Sequence, residues 1–195
     1  HRRYDQDDTE LNYGEDNWRY AMADLAKQPL KPTLDGEPSY EGIPQGLHNP
    51  EEPYWNDNDV RRYAYWSVFA GSAGFTYGHS AVMQFHRPGD GKGAYGVRDY
   101  WQDALDAPGA GQMQHLAGLM LSRPYFERIP DQSILNSNGE RYDYQVATRG
   151  EDYAFVYTYN GRDIDIVMGK ISGDRVRASW FDPRNGESTE IGEFE

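Results

Sequence analysis

Cysteine is absent from the 195 residues, so disulfides, thiolate catalysis and thiolate metal sites are excluded. The zero says little about compartment, since many secreted proteins of ordinary size carry no disulfide. Long apolar runs are lacking too, and no window approaches the roughly 18 apolar residues of a membrane-spanning helix. Basic residues are few: 19 Lys and Arg stand against 32 Asp and Glu, for a net charge of −13. A surface of that sign argues against a nucleic-acid partner, whose phosphates need basic contacts. Hydrophobic residues reach only 37%, below the usual range for globular chains.

Aromatic rings fill part of the gap, at 14% with 16 Tyr and 5 Trp. Acidic disordered chains are poor in rings, so a folded chain is expected. Rings stack on sugars and carboxylates hydrogen-bond to them, which makes this composition suited to handling carbohydrate. The opening run HRRYDQDD has neither the apolar core of a signal peptide nor an initiating Met. It reads as a mature end or an internal cut.

The chain changes character near Asp131. Before it, Asp16 or Asn17 can cap a helix that presents Trp18, Ala21, Met22 and Leu25 on one face, with Pro29 and Pro32 ending it. An extended run follows over 32–37, then a long Pro-rich loop from Glu41 to Asn58 of the kind that is usually functional or disordered. Asp57 or Asp59 can cap a second helix running to Gly71, and 73–78 reads as a buried strand. A second long loop holds His79 and His86. A short helix is expected over 100–106, and Gln112 to Ser122 reads as a clear one with Met113, Leu116, Ala117, Met120 and Leu121 inward. Pro124 stops it.

Helix, strand, helix, strand, helix with long loops after both strands matches a repeating β/α barrel with its site on the strand C-terminal side. A complete barrel takes about 250 residues, so residues 1–130 read as its last third, from about helix 6 to helix 8. Residues 131–195 alternate as all-β structure, with strands expected at 141–148, 153–159, 164–171, 176–181 and 187–195. Asn138-Gly139, Asn160-Gly161 and Asn185-Gly186 lie between or beside them as hairpin signals. The fold class is therefore α/β followed by all-β: the C-terminal part of a (β/α)8 barrel plus a small antiparallel β-sandwich.

The chemistry centres on Lys31-Pro-Thr-Leu-Asp-Gly-Glu37-Pro-Ser-Tyr40-Glu41. Alternate side chains of a barrel strand share a face, which puts Asp35 with Glu37. Glu37 falls at the strand's C-terminal end, where such barrels place catalytic groups. A carboxylate there can attack an anomeric carbon, or it can cap or bridge structurally, and spacing leaves both roles open. Tyr40, Trp55, Trp66 and Tyr77 can stack on sugars. Trp66 lies mid-helix and is expected in the core, whereas Trp55 lies in a loop and is expected on the binding side.

Metal and cofactor patterns are weak. His48 and Glu51 sit in a Pro-flanked loop, Asp5, Asp7 and Asp8 lack the rest of an EF-hand loop, and the glycines at 89–93 match no phosphate-cradling motif. No metal and no cofactor is expected.

Three runs, PTLDGEPSYEGIP, DVRRYAYWSVFAGSAGFTYGH and ALDAPGAGQMQHLAGLMLSRPYFERIPDQ, together resemble the apiosidase-like glycoside hydrolases of family 140. Those are β/α barrels followed by a domain labelled "putative collagen-binding". The resemblance implies a retaining glycosidase acting on plant or microbial polysaccharide, bacterial and secreted or periplasmic. It places the nucleophile, at the end of the seventh strand, on Glu37, with Glu41 as the nearby competitor. His79, after the eighth strand, resembles a substrate-contacting position, although a hydrogen-bonded rim histidine fits the residues equally. The resemblance also puts His1, Arg2 and Arg3 in a loop facing the site.

The family's acid/base carboxylate follows the fourth strand, and this chain begins after the sixth. The remaining N-terminal barrel portion is thus implied as a partner, either another polypeptide or a segment outside this sequence. The competing class is a non-catalytic carbohydrate-binding or structural assembly protein on a glycosidase-like scaffold.

Overall fold

The computed structural model describes residues 16–195. His1, Arg2, Arg3, Asp5, Asp7 and Asp8 lie outside the described residues. Helix α1 spans Asn17–Leu25 and buries Asn17 and Ala21. Its Asp16 makes no side-chain cap bond, and Met22 is on the exposed side. Trp18 stacks flat on Tyr144, with ring centroids 3.7 Å apart.

Strand β1, Leu34–Asp35, pairs in parallel with β2, Gly74–Phe75, in the register Leu34 to Gly74 and Asp35 to Phe75. Parallel strands need a crossover, and helix α2, Asp57–Phe69, supplies it. Both strands are shorter than the sequence suggests. The chain bends at Glu37, and Pro38 has no N–H to extend the ladder. Pairing resumes at a single parallel bridge between Glu41 and His79.

The cap of α2 is Asn56 rather than either aspartate. Its backbone is extended (φ −118°), and its side chain accepts from the N–H groups of Asn58 and Asp59, while Asp59 bonds back to the Asn56 N–H at 3.1 Å. That reciprocal pair is a capping box, with Asp59 in the third helical position.

Every residue of α2 from Asp59 to Phe69 is buried. Trp66 is in the core as expected, and Tyr65 stacks on Tyr157 at 4.7 Å. Beside them the Arg62 guanidinium is 0% exposed. It pairs with Asp59 at 3.3 Å and lies over the rings of Tyr63, Trp66, Tyr142 and Tyr159, at 4.9, 5.3, 4.8 and 4.8 Å.

Helix α3 is the short Ser80–Met83 segment, and 103–106 forms a 3-10 turn in place of the short helix expected over 100–106. Helix α4 spans Pro108–Leu121. It starts four residues before the expected Gln112, because Pro108 has its φ preset for the first helical position. Its buried face is Gly109, Gln112, Leu116 and Met120. Ala117 and Leu121, expected inward, face out.

The remainder forms antiparallel sheets. β3 (Ile129–Pro130), β4 (Val146–Arg149) and β5 (Ala154–Tyr157) make one, in that order. Pro130 sits on its edge strand, where a missing N–H costs nothing. Tyr144, Val146 and Tyr157 join the same hydrophobic cluster as α1, α2 and α4.

β6 (Val176–Phe181) and β7 (Ser188–Phe194) form a separate two-stranded ribbon, irregular at Ala178 and Ser179. Phe181 packs against the main cluster, and its neighbour Asp182 opens the turn, held down to about 2 by the Arg184 side chain bonded to it. The other end of the ribbon leaves Phe194 exposed.

Two expected strand segments are otherwise. Residues 141–143 form a 3-10 turn, with Arg141 at φ 54°. The 164–171 run makes only one bridge, Ile166 to Leu135, because no neighbouring strand extends alongside it among the described residues.

Candidate active site

The site is built on an arch, residues 36–40, whose feet rest on the same segment. At one foot the Thr76 N–H donates to the Asp35 carbonyl (3.0 Å). At the other the Glu41 N–H donates to the Gly78 carbonyl (2.9 Å), and the Ser80 N–H to the Glu41 carbonyl (2.8 Å). The arch carries Glu37, which is exposed, and Tyr40, which is half-buried.

Glu37 and Asp35 both line a recess of about 260 Å³ together with Asn17, Asp24, Thr33 and Ser67. Asp35 accepts a short hydrogen bond from the Ser67 hydroxyl. Ser67 in turn accepts from the Asn17 amide at 2.7 Å. Asp35 is thereby tied to α2 and α1, while Glu37 is exposed.

The Tyr40 ring lies flat against the backbone at Gly78, where an added Cβ would come within 2.6 Å of it. Only glycine permits that approach. Burial first, and then the Glu37 charge, raise the Tyr40 phenol above its ordinary pKa. It therefore stays protonated in the neutral range.

Glu41 is 8% exposed and turned the other way. Its carboxylate accepts the Tyr77 hydroxyl at 2.7 Å and the Gly109 N–H at 3.1 Å. Desolvation raises its pKa above the usual carboxylate range. The Asp57 and Asp99 charges add to this, and the two hydrogen bonds oppose it. Burial and the bond to Glu41 push the Tyr77 phenol well above its normal value.

His79 is 6% exposed. Its Nδ1 accepts the Ala81 N–H at 3.1 Å, capping α3, which assigns the neutral ring's proton to Nε2, 3.8 Å from the Asp99 carboxylate. Burial lowers its pKa, and Asp99 partly restores it.

Of the five residues singled out from sequence, Glu37 and Tyr40 lie together on the arch. Tyr77 and His79 belong to the segment beneath it, but Tyr77 spends its hydroxyl on Glu41, and His79 is walled in against Gly42. Trp55 is a correction. It is 1% exposed, pairs its backbone with Ile43 and Gly42, and meets Tyr63 edge-on at 5.7 Å, so its ring supports the loop and offers no face to a sugar.

The residues missed were Gly109 and Asp99. Gly109 meets Glu41 across 68 positions of sequence, and no local pattern announces it. Among the described residues no cluster of three His, Asp or Glu side chains is arranged to hold a metal, and no helix is long and apolar enough to cross a membrane.

Residues 1–127 match the family model described as apiosidase-like, catalytic domain. Residues 129–195 match the putative collagen-binding domain of a collagenase. One solved structure, described as a glycoside hydrolase, is 52% identical over 100% of this chain with a TM-score of 0.93. A crystal structure of a glycoside hydrolase family 5 from Bacteroides vulgatus ATCC 8482 is 54% identical, again over 100% and with a TM-score of 0.93. The chain spans 45% and 43% of those two chains, less than half of either. A comparison with curated proteins gave no match.

Proposed function

The chain belongs to the apiosidase-like glycoside hydrolase family, and from that premise we propose that Glu37 is the nucleophile of a retaining glycosidase. In this reading residues 1–130 are the C-terminal portion of a (β/α)8 barrel, and 131–195 are a C-terminal β-sandwich domain. The N-terminal barrel portion supplies the acid/base carboxyl. The substrate is plant or microbial polysaccharide, and the protein is bacterial, secreted or periplasmic, where such polymers are met.

The observation that carries the reading is Glu37 on its arch. It is an exposed carboxylate just past the C-terminal end of a parallel strand pair, lining a recess and near a protonated tyrosine. Barrels of this kind assemble their chemistry at that end. Glu37 attacks the anomeric carbon as the glycosidic bond breaks, and the leaving oxygen takes the proton of the acid carboxyl. Water, deprotonated by that same group, then attacks the glycosyl ester and frees Glu37. Two displacements at one carbon retain its configuration, and the geometry requires the two carboxyl groups about 5 to 5.5 Å apart. Tyr40 presents an O–H beside the nucleophile, and Asp35, fastened to Ser67, holds the strand end.

The test is Glu37→Gln and Glu37→Gly in the protein with its barrel complete, assayed on an activated aryl glycoside. Both variants should lose roughly 10⁴-fold or more in kcat, as expected for a covalent nucleophile. Azide should restore turnover in Glu37→Gly, giving a glycosyl azide of inverted configuration. Activity in Glu37→Gln within tenfold of the parent would end the nucleophile assignment. A parent that binds oligosaccharide but turns over no glycoside would favour the binding protein instead.

A further inference from the structure

Glu41 lies four residues beyond Glu37, and by composition alone it is an equally good nucleophile. Its surroundings give it a different task. The carboxylate is buried, and one of its oxygens, Oε2, accepts both the Tyr77 hydroxyl and the Gly109 N–H.

Gly109 is the second residue of α4, whose N-cap, Ala107, has no side chain to offer and whose first turn contains no acidic residue. Glu41 therefore supplies from a distant loop the oxygen and the negative charge that this helix start lacks. The fit is close. A Cβ at Gly109 would fall 2.2 Å from the Glu41 oxygen and 2.7 Å from Val60.

The backbone of Glu41 is also the downstream foot of the arch, bonded to Gly78 and Ser80. One residue thus joins the arch, the end of β2 and the start of α4. Those backbone bonds persist whatever residue stands at 41, so what the Glu41 side chain adds is the tie to Tyr77 and to α4.

We propose that Glu41 is a positioning residue that fixes the arch bearing Glu37 and Tyr40 by anchoring its downstream end to Tyr77 and to the N-terminus of α4. This rests on the reading of Glu37 as nucleophile. The groups that face the Glu41 carboxyl are Tyr77 from the end of β2, the Gly109 amide from α4, Asp57 from α2 and Asp99 from the following loop, with His79 across the backbone bridge.

A glutamine can still offer one oxygen to both donors, so the variant that removes the anchor is alanine. Glu41→Ala, in the protein with its barrel complete, should lower kcat on an aryl glycoside about 30-fold with KM within twofold, and Glu41→Gln should lose less. Azide should not rescue the corresponding Glu41→Gly. Tyr77→Phe keeps the ring and removes one donor, and it should lower kcat about fivefold. It should also move the acid limb of the kcat profile upward, because the lost hydrogen bond favoured the charged carboxylate. The double variant Glu41→Ala, Tyr77→Phe should be no slower than Glu41→Ala within twofold, since the two groups act as one unit.

Azide rescue of Glu41→Gly, a change confined to KM, or losses that multiply in the double variant would overturn the proposal. If Glu41→Ala does not fold, Tyr77→Phe decides alone, and an unchanged kcat refutes it. The two readings fail separately. Glu37→Gly without azide rescue removes the nucleophile reading, whereas normal turnover in Glu41→Ala with Glu37→Gly rescued removes only this one.

Discussion

Replacing Asp59 by Asn tests whether the cage around Arg62 needs its anion. The guanidinium is 0% exposed and Asp59 is 11% exposed, at a separation of 3.3 Å. Asparagine keeps an oxygen for the Asn56 N–H, so the capping box survives, while its amide nitrogen takes the place of the oxygen that accepts from Arg62, and the charge and that hydrogen bond disappear together.

Removing one partner of a buried pair costs about 3–5 kcal/mol. The four rings continue to attract the cation, each by about 0.5–2 kcal/mol and not additively. The low end therefore applies, about 3 kcal/mol, or a fall in Tm of roughly 6–12 °C for a chain of this size. Arg62→Met removes the buried cation and leaves Asp59 with its cap bond and some water contact, for about 1–2 kcal/mol. In that background Asp59→Asn should cost under about 1 kcal/mol, which leaves a coupling energy of about 2 kcal/mol. Urea unfolding of the four proteins, followed by tryptophan fluorescence, completes the cycle. Equal costs of Asp59→Asn in both backgrounds would mean that the rings alone hold the cation and that the reasoning is wrong.

Trp55→Ala should cost about 3–5 kcal/mol, as for other buried aromatic deletions, whereas Trp180→Ala, at 54% exposure on the ribbon, should stay within about 1 kcal/mol by thermal unfolding. His79 contributes a pH dependence of defined sign. Its folded pKa lies below the unfolded value near 6.5, so the unfolded state binds the extra proton, and stability is present above about pH 6.5 and falls as the pH drops through that value. Glu41, raised in the folded state, has the opposite sign in the carboxylate range. His79→Gln should therefore flatten the slope between about pH 7 and 5 only, and an unchanged slope would refute the assignment.

The parts legible in the sequence were those decided locally. Helix α2 announces itself through a capping run, Asn56 to Asp59, followed by apolar and aromatic residues at nearly every position. Trp66, in its middle, had only one place to go. The strand–helix–strand order and the exposed glutamate after β1 were readable for the same reason.

Trp55 was not, because a tryptophan between prolines and asparagine looks the same whether its loop folds over it or not. Its burial is decided by the backbone pairing with Ile43, twelve positions earlier in the chain. The 164–171 alternation failed for a related reason. Period two makes a strand only where the backbone is paired along its length, and this run is paired at a single bridge, Ile166 to Leu135. Glu41 reads in the sequence as a competitor of Glu37, and only folding brings Gly109 to it.

The β6–β7 ribbon is fastened at its turn. Phe181, half-buried, packs against the core, and a Cβ at Gly186 would meet the His115 ring on α4 at 2.5 Å. The opposite end, where Val176 pairs with Phe194, is closed by surface ion pairs, Arg177 to Glu193 and Arg175 to Glu195. Such pairs are each worth about 1 kcal/mol or less. Tension applied at Phe194 would load the ribbon's hydrogen bonds one after another from that end, as a zipper opens, instead of all at once in shear. Mechanically the ribbon is thus the compliant element. It would extend and re-form under small forces while the packed helices behind Phe181 stayed intact.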